Sequence, residues 1–400
     1  MSVLFDESLK SIELIFKYFG MYLDRTILNT AEHVIKFRSL HIINFLWLNT
    51  ETIAEILWII QGALHGRSLI KLTSIAPCIN LCILANIKSL SLFLNDDKVK
   101  KLFKQLRNVE NNINIGDEVV KKKIVAEGKK HLRAVIKALI IINAVTVMLF
   151  SVTPILFIGL EYKKSGQIKL VLPFRVYPFN PYDIKYWPFL YMHQIWSASL
   201  VSIQIAGTDG LFYTCCTSIC TQFRLLQNDI ETIIPERNFD ENVFQEMLKK
   251  LAVRHDGIMQ SIIQLESIYA KSTLFNFVSS TFLICLSGFN TTALGDIGYM
   301  VAFLSFLLMS LMQIFLLCLY GDMIMTSSME VSNAVYNSKW YTVNAKAAKH
   351  LYVVQMRAQK LSKLTAYGYA DVNLTSFTRI LSSACSYFAL LKTMERPTQA

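Results

Sequence analysis

The chain has 400 residues, 53% of them hydrophobic, with 25 Phe and a mean hydropathy of +0.38, which argues against an ordinary water-soluble domain. Its formal net charge of +11 raises nucleic acid as a partner. The basic residues lie mainly in short loops beside apolar stretches, however, and anionic membrane lipid suits that placement better.

The first residues, with Asp6, Glu7 and Glu13, read as an amphipathic helix with Leu9, Ile12, Ile15, Phe16 and Phe19 on one side. No basic segment, short apolar core and small-residue cleavage site precedes it, so membrane insertion is expected to start with the first apolar span. Seven such spans follow, at 40–60, 69–94, 135–160, 188–220, 274–294, 299–325 and 372–394. Each is near the ~20 residues a helix needs to cross a bilayer core. The expected fold is therefore all-α, a seven-transmembrane helical protein with helices extended beyond the membrane.

An odd number of crossings puts the termini on opposite faces, and basic loop residues decide which face is which. The loop after the second span carries Lys98, Lys100, Lys101, Lys104, Arg107, Lys121, Lys122, Lys123, Lys129 and Lys130, whereas the loop 289–298 carries none. The segment with Lys10, Lys17, Arg25, Lys36 and Arg38 agrees, and the N-terminus is expected in the cytoplasm. Residues 161–187 run against the pattern with Lys163, Lys164, Lys169, Arg175 and Lys185.

Within the spans, Glu51 and Glu55 share one helix face and could meet neighbouring helices or lipid headgroups. Asp209 and Arg379 are further ionisable residues at membrane depth, candidates for function or for fixing helix register. The eight cysteines all fall inside apolar spans, where thiols behave as small hydrophobes, so neither disulfide nor metal is expected. The loop before the fourth span gathers Pro173, Pro178, Pro181 and Pro188 among aromatic residues, reading equally as an ordered hood or an interfacial aromatic belt. Asn290-Thr291-Thr292 forms a glycosylation sequon. Trp340, Val343, Ala347, Leu351 and Val354 draw an apolar stripe on a helix outside the bilayer, to be buried on the same subunit or against a neighbouring one.

No enzyme is indicated: the seven histidines are scattered, and no HExxH, GxSxG or P-loop arrangement accompanies them. His193, beside Gln194, is the one histidine placed where a ligand could meet it. No cofactor is implied.

The last third narrows the reading. Tyr336 and Trp340, Gln355-Met356-Arg357, Ala366-Tyr367-Gly368, Asn373-Leu374-Thr375, Phe377 and Ser386-Tyr387-Phe388 resemble the C-terminal signature of insect odorant receptors. Weaker similarity, of a moth-like kind, runs through 208–212, 222–226 and 181–194. The resemblance implies seven spans and a tetrameric ligand-gated cation channel in the plasma membrane of a sensory dendrite, its pore lined by the last span. It places the gate at Leu390, Thr393 and Met394. It also implies a ligand-tuning subunit that works with the family's shared co-receptor, because 230–267 leaves no room for the insertion that co-receptor carries. Residues 1–330 would hold the ligand and 331–400 the anchor helix and pore; Trp340, Val343, Ala347, Leu351 and Val354 are the expected subunit interface. A volatile odorant would bind among Phe150, Thr153, Phe157, Met192, Ile195, Trp196, Phe303 and Leu307. A gustatory-type channel, a G-protein-coupled receptor and a membrane-embedded transporter or transferase are the competing readings.

Overall fold

The computed structural model describes residues 4–20, 31–111, 117–168, 170–174, 184–234, 240–293 and 297–395. The middle of the expected loop hood, including Pro178 and Pro181, lies outside them. Among the described residues eleven α-helices follow one another: α1 Leu4–Phe19, α2 Ala31–Leu64, α3 Leu69–Thr73, α4 Ala76–Leu94, α5 Asp96–Asn111, α6 Glu118–Ser165, α7 Trp187–Thr232, α8 Glu241–Ala293, α9 Ile297–Asn337, α10 Ala345–Gln359 and α11 Leu374–Glu395. A 3-10 turn at Trp340–Thr342 joins α9 to α10, and an isolated bridge between Thr365 and Asp371 is the one extended pairing among the described residues.

The seven apolar spans fall on α2, α3 with α4, α6, α7, α8, α9 and α11, so the expected all-α membrane architecture holds. Four described helices are apolar enough over their length to cross a bilayer on that ground alone: Ile70–Leu94, Glu118–Ser165, Glu241–Ala293 and Met300–Thr342. The other three carry more polar groups, not all of them satisfied: both carboxylate oxygens of Glu55 on α2 are buried with no hydrogen-bond partner among the described residues. Glu51 of α2 is buried and accepts a hydrogen bond from His193 Nδ1 at 2.7 Å, and Glu55 is buried one turn on. In α7, Asp209 meets Lys88 Nζ of α4 at 2.6 Å and Gln313 Nε2 of α9 at 2.8 Å. That contact ties three helices at one level, a geometry that suits the register role expected for Asp209. The polar residues of α11 lie on an exposed face, Arg379 among them.

Helices α6, α8 and α9 outrun any bilayer. The 53 residues of α8 span ~80 Å at 1.5 Å each, against a core ~30 Å thick. Their extensions bury against α1, α5 and α10 in one large apolar cluster containing Phe5, Phe16, Phe103, Leu106, Phe244, Leu265, Ala347 and Leu351. The α7 and α8 extensions are fastened by Arg254, whose Nη1 donates to Asp229 at 2.7 Å and Nη2 to Gln222 at 2.9 Å. Ala347 and Leu351 of the expected interface stripe are thus filled by this chain's own helices. Val343 and Val354 pack at the cluster's edge, and Trp340 stays exposed.

Close approach explains Gly321. A Cβ there would stand 2.1 Å from the carbonyl oxygen of Val372, so only glycine lets α9 touch the segment leading into α11. Glu266 of α8 holds that segment from the other side, accepting from the backbone N–H of Thr365 at 3.1 Å and from its hydroxyl.

Candidate functional site

At the opposite end of the bundle, beneath the α6–α7 connection, a second apolar cluster surrounds a cavity of about 50 Å³. Helical repeats place its walls. Asn143, Thr146, Val147 and Phe150 recur at three- and four-residue steps on α6, and Ala198, Val201, Ser202 and Ile205 do so on α7. Cys78, Leu81 and Cys82 come from α4, and Phe306 and Met309 from α9.

Phe174 closes the top. Its ring centroid lies 4.4 Å from that of Phe150. Gln194 clamps it in place, accepting from the Phe174 N–H at 3.1 Å and donating to its carbonyl at 3.0 Å. The loop is tied again by the Trp187 indole, which donates to the Val171 carbonyl at 2.9 Å and stacks on Tyr191 at 4.9 Å between centroids.

Such a wall selects by shape, with three soft sulfur-bearing side chains and few polar handles. Thr146 spends its hydroxyl on the Ile142 carbonyl at 2.9 Å. Asn143 donates to the Leu139 carbonyl at 2.9 Å, while its buried Oδ1 has no hydrogen-bond partner among the described residues. That oxygen can accept a hydrogen bond from a molecule in the cavity. No group of three or more His, Cys, Asp or Glu side chains able to hold a metal occurs among the described residues.

The residues expected to bind ligand are distributed unevenly. Phe150 lines the cavity, and Phe303 belongs to the same cluster, its ring 6.3 Å from Phe306. Thr153 and Phe157, farther along α6, are half-buried, as are Ile195 and Leu307, the last packed against the larger cluster. Met192 and Trp196 lie on the outside of the chain, 65% and 55% exposed. The cavity sits about two turns deeper than those expectations. Its α7 wall, Ala198, Val201, Ser202 and Ile205, was missed, because at helical spacing such residues read the same on a lipid-facing surface.

His193 faces elsewhere. Its Nε2 lies 3.0 Å from the Thr50 hydroxyl, its Nδ1 bonds Glu51, and Trp47 stacks on the ring at 4.7 Å, so it joins α7 to α2. Asn290 is fully buried: it donates to the Thr73 carbonyl at 2.9 Å and receives the Thr73 hydroxyl at 3.1 Å. A glycan needs an exposed amide, so in the folded chain the sequon serves as a contact between α3 and α8.

On α11, Leu390 and Met394 are both 57% exposed and Thr393 lies beside them. The same face carries Thr378, Ser383 and Ser386. Each of these hydroxyls, with that of Thr393, donates to a carbonyl of its own helix.

Comparison with known proteins identifies the fold and the family. Putative odorant receptor 92a of Drosophila melanogaster is 24% identical over 98% of this chain and 96% of its own. Odorant receptor 85b of the same insect is 29% identical over 58% of this chain and 60% of its own. The insect olfactory receptor OR5 from Machilis hrabei, solved in complex with eugenol, superposes with a TM-score of 0.83 at 16% identity, covering 97% of this chain and 98% of that one. The family profile described as 7tm Odorant receptor matches residues 71–385, and the chain belongs to that family of odorant receptors.

Proposed function

We propose that this chain is the ligand-tuning subunit of an odorant-gated cation channel. It binds a small volatile in the cavity around Phe150 and opens a pore together with the family's co-receptor in the plasma membrane. The observation that carries the reading is the aromatic and sulfur-lined cavity at one end of a bundle whose last helix presents an unpartnered hydroxyl-rich face.

A face bearing Thr378, Ser383, Ser386 and Thr393 suits water better than lipid, and an axis of four such helices would supply it. Leu390, Thr393 and Met394 then ring the conduit. Apolar side chains at such a ring close it by dewetting. Because Ala347 and Leu351 are buried within the chain, Trp340 and the exposed side of α10, with Tyr352 and Met356, are the surfaces left for a neighbouring subunit. The positive-inside rule places the N-terminus, α5 and α10 in the cytoplasm and the cavity in the outer half.

The cavity volume of about 50 Å³ is roughly a third of the ~150 Å³ that admits benzene in an engineered apolar cavity. A volatile must therefore displace lining side chains as it enters. A state already expanded at Phe306, Met309 or Phe174 binds it better, and that difference in affinity is what shifts the gate. The complex of the Machilis receptor with eugenol supports a small organic ligand.

Co-expression with the co-receptor, recording current during a broad volatile panel, tests the proposal. The expected result is an inward current for a few related compounds. Silence across the panel from a receptor that reaches the surface rejects it.

A further inference from the structure

Away from the cavity, α6 meets α1 in an open cleft of about 250 Å³. Lys129, Arg133 and Lys137 line it at four-residue steps, so their side chains stack along one face of α6. A single acid, Glu7 of α1, faces them and pairs with Lys129. The hydrogen bond from Lys129 holds the Glu7 carboxyl below its usual range, and Arg133 and Lys10 add to that pull. One carboxylate against three cations leaves the cleft positive, with Arg133 and Lys137 exposed.

The same face continues directly into Ile140 and Ile141, both exposed and both lining the cleft. Helix α6 is the least enclosed of the four strongly apolar helices, with 28% of its apolar window buried against 44%, 50% and 61% for the others. Its isoleucines therefore face lipid. From Arg133 to Ile141 the helix rises ~12 Å, enough to cross the interfacial layer of one leaflet, roughly 5–8 Å thick. The cations thus stand at headgroup level where the apolar ridge begins, and Lys137 can snorkel to the phosphates from its place inside the apolar stretch.

We propose that this cleft binds an anionic phospholipid of the cytoplasmic leaflet, its phosphate between Arg133 and Lys137 and one acyl chain along Ile140 and Ile141. The inference rests on the orientation given above and on nothing about the odorant. Its test needs neither ligand nor current, so its failure and that of the channel reading are distinguishable.

The test is native mass spectrometry of the full chain released from nanodiscs of mixed phosphatidylcholine and phosphatidylserine. The wild-type chain is expected to retain phosphatidylserine preferentially. At ~1 kcal/mol for each basic residue near the surface, R133Q/K137Q should bind it roughly 30-fold more weakly. R133K/K137R, which keeps both charges, should retain it, and so should K163Q/K164Q, which removes two cations from the other end of α6. Soluble glycerophosphoserine, with the headgroup but no acyl chain, should not displace it. Undiminished retention by R133Q/K137Q, an equal loss in K163Q/K164Q, failure of R133K/K137R to retain the lipid, or displacement by glycerophosphoserine would overturn the proposal.

Discussion

Around α1, α5, α8 and α10 the bundle is filled by interlocking Phe, Leu and Ile side chains, whereas beneath Phe174 four helices leave about 50 Å³ open between them. Both regions are apolar and both are built at helical spacing. They differ in what their voids cost. Close packing in the first supplies the stability of the fold, and a missing contact there is felt in full. The second gives up some of that packing and keeps a surface that different side chains can reshape without unfolding the chain.

Substitutions can break this contrast, and the largest effect should come from the packed half. Gly321→Val drives a side chain into the Val372 carbonyl. It should cost more than about 3 kcal/mol and abolish folded, surface-delivered receptor in a detergent size-exclusion assay. Next comes Asp209→Ala, which strands the buried Lys88 ammonium and should cost ~3–5 kcal/mol in thermal stability. The double change K88M/D209L should recover most of that loss; no recovery would mean the pair does more than hold register.

A smaller effect is expected from His255, which lies in the extension of α8 beyond its apolar span. Burial lowers its pKa to about 4, with Arg357 adding to the shift. The unfolded chain takes up the proton near ~6.5 and the folded chain only near 4, so this stability is complete above ~6.5 and is lost as pH falls toward 4. Melting temperatures should fall across that window in the wild type and fall less in His255→Phe. Equal slopes would remove His255 as the cause.

In the open half the changes should spare stability and alter response. Asn143→Leu removes the buried acceptor and should weaken alcohols roughly tenfold relative to hydrocarbons of the same shape. Leu390→Ala, outside the cavity lining, should raise leak while leaving the ranking of odorants unchanged.

The contrast also explains which parts could be read from the sequence. Spans, extended helices and all-α architecture follow from periodicity, because each is written in consecutive residues. The C-terminal signature from Tyr336 to Phe388 was similarly local. Pairings across long separations were not: Asn290 with Thr73, Asp209 with Lys88 and Gln194 with Phe174 each join residues of different elements. Phe150 was found because an aromatic at that depth stands out. Cys78, Val201 and Met309 were not, since a cavity wall and a lipid-facing surface have the same composition. The apolar stripe could be drawn but not assigned: only the fold put Ala347 and Leu351 of α10 inside the chain and left Trp340 and Val343 ahead of that helix.

The most direct test of the central claim is to fill the cavity. Val201→Phe should lodge a ring between Phe150, Phe306 and Cys82, abolishing odorant-evoked current with the co-receptor while surface density and basal leak stay at wild-type levels. An unchanged dose-response curve in that variant would place the ligand elsewhere and contradict the account.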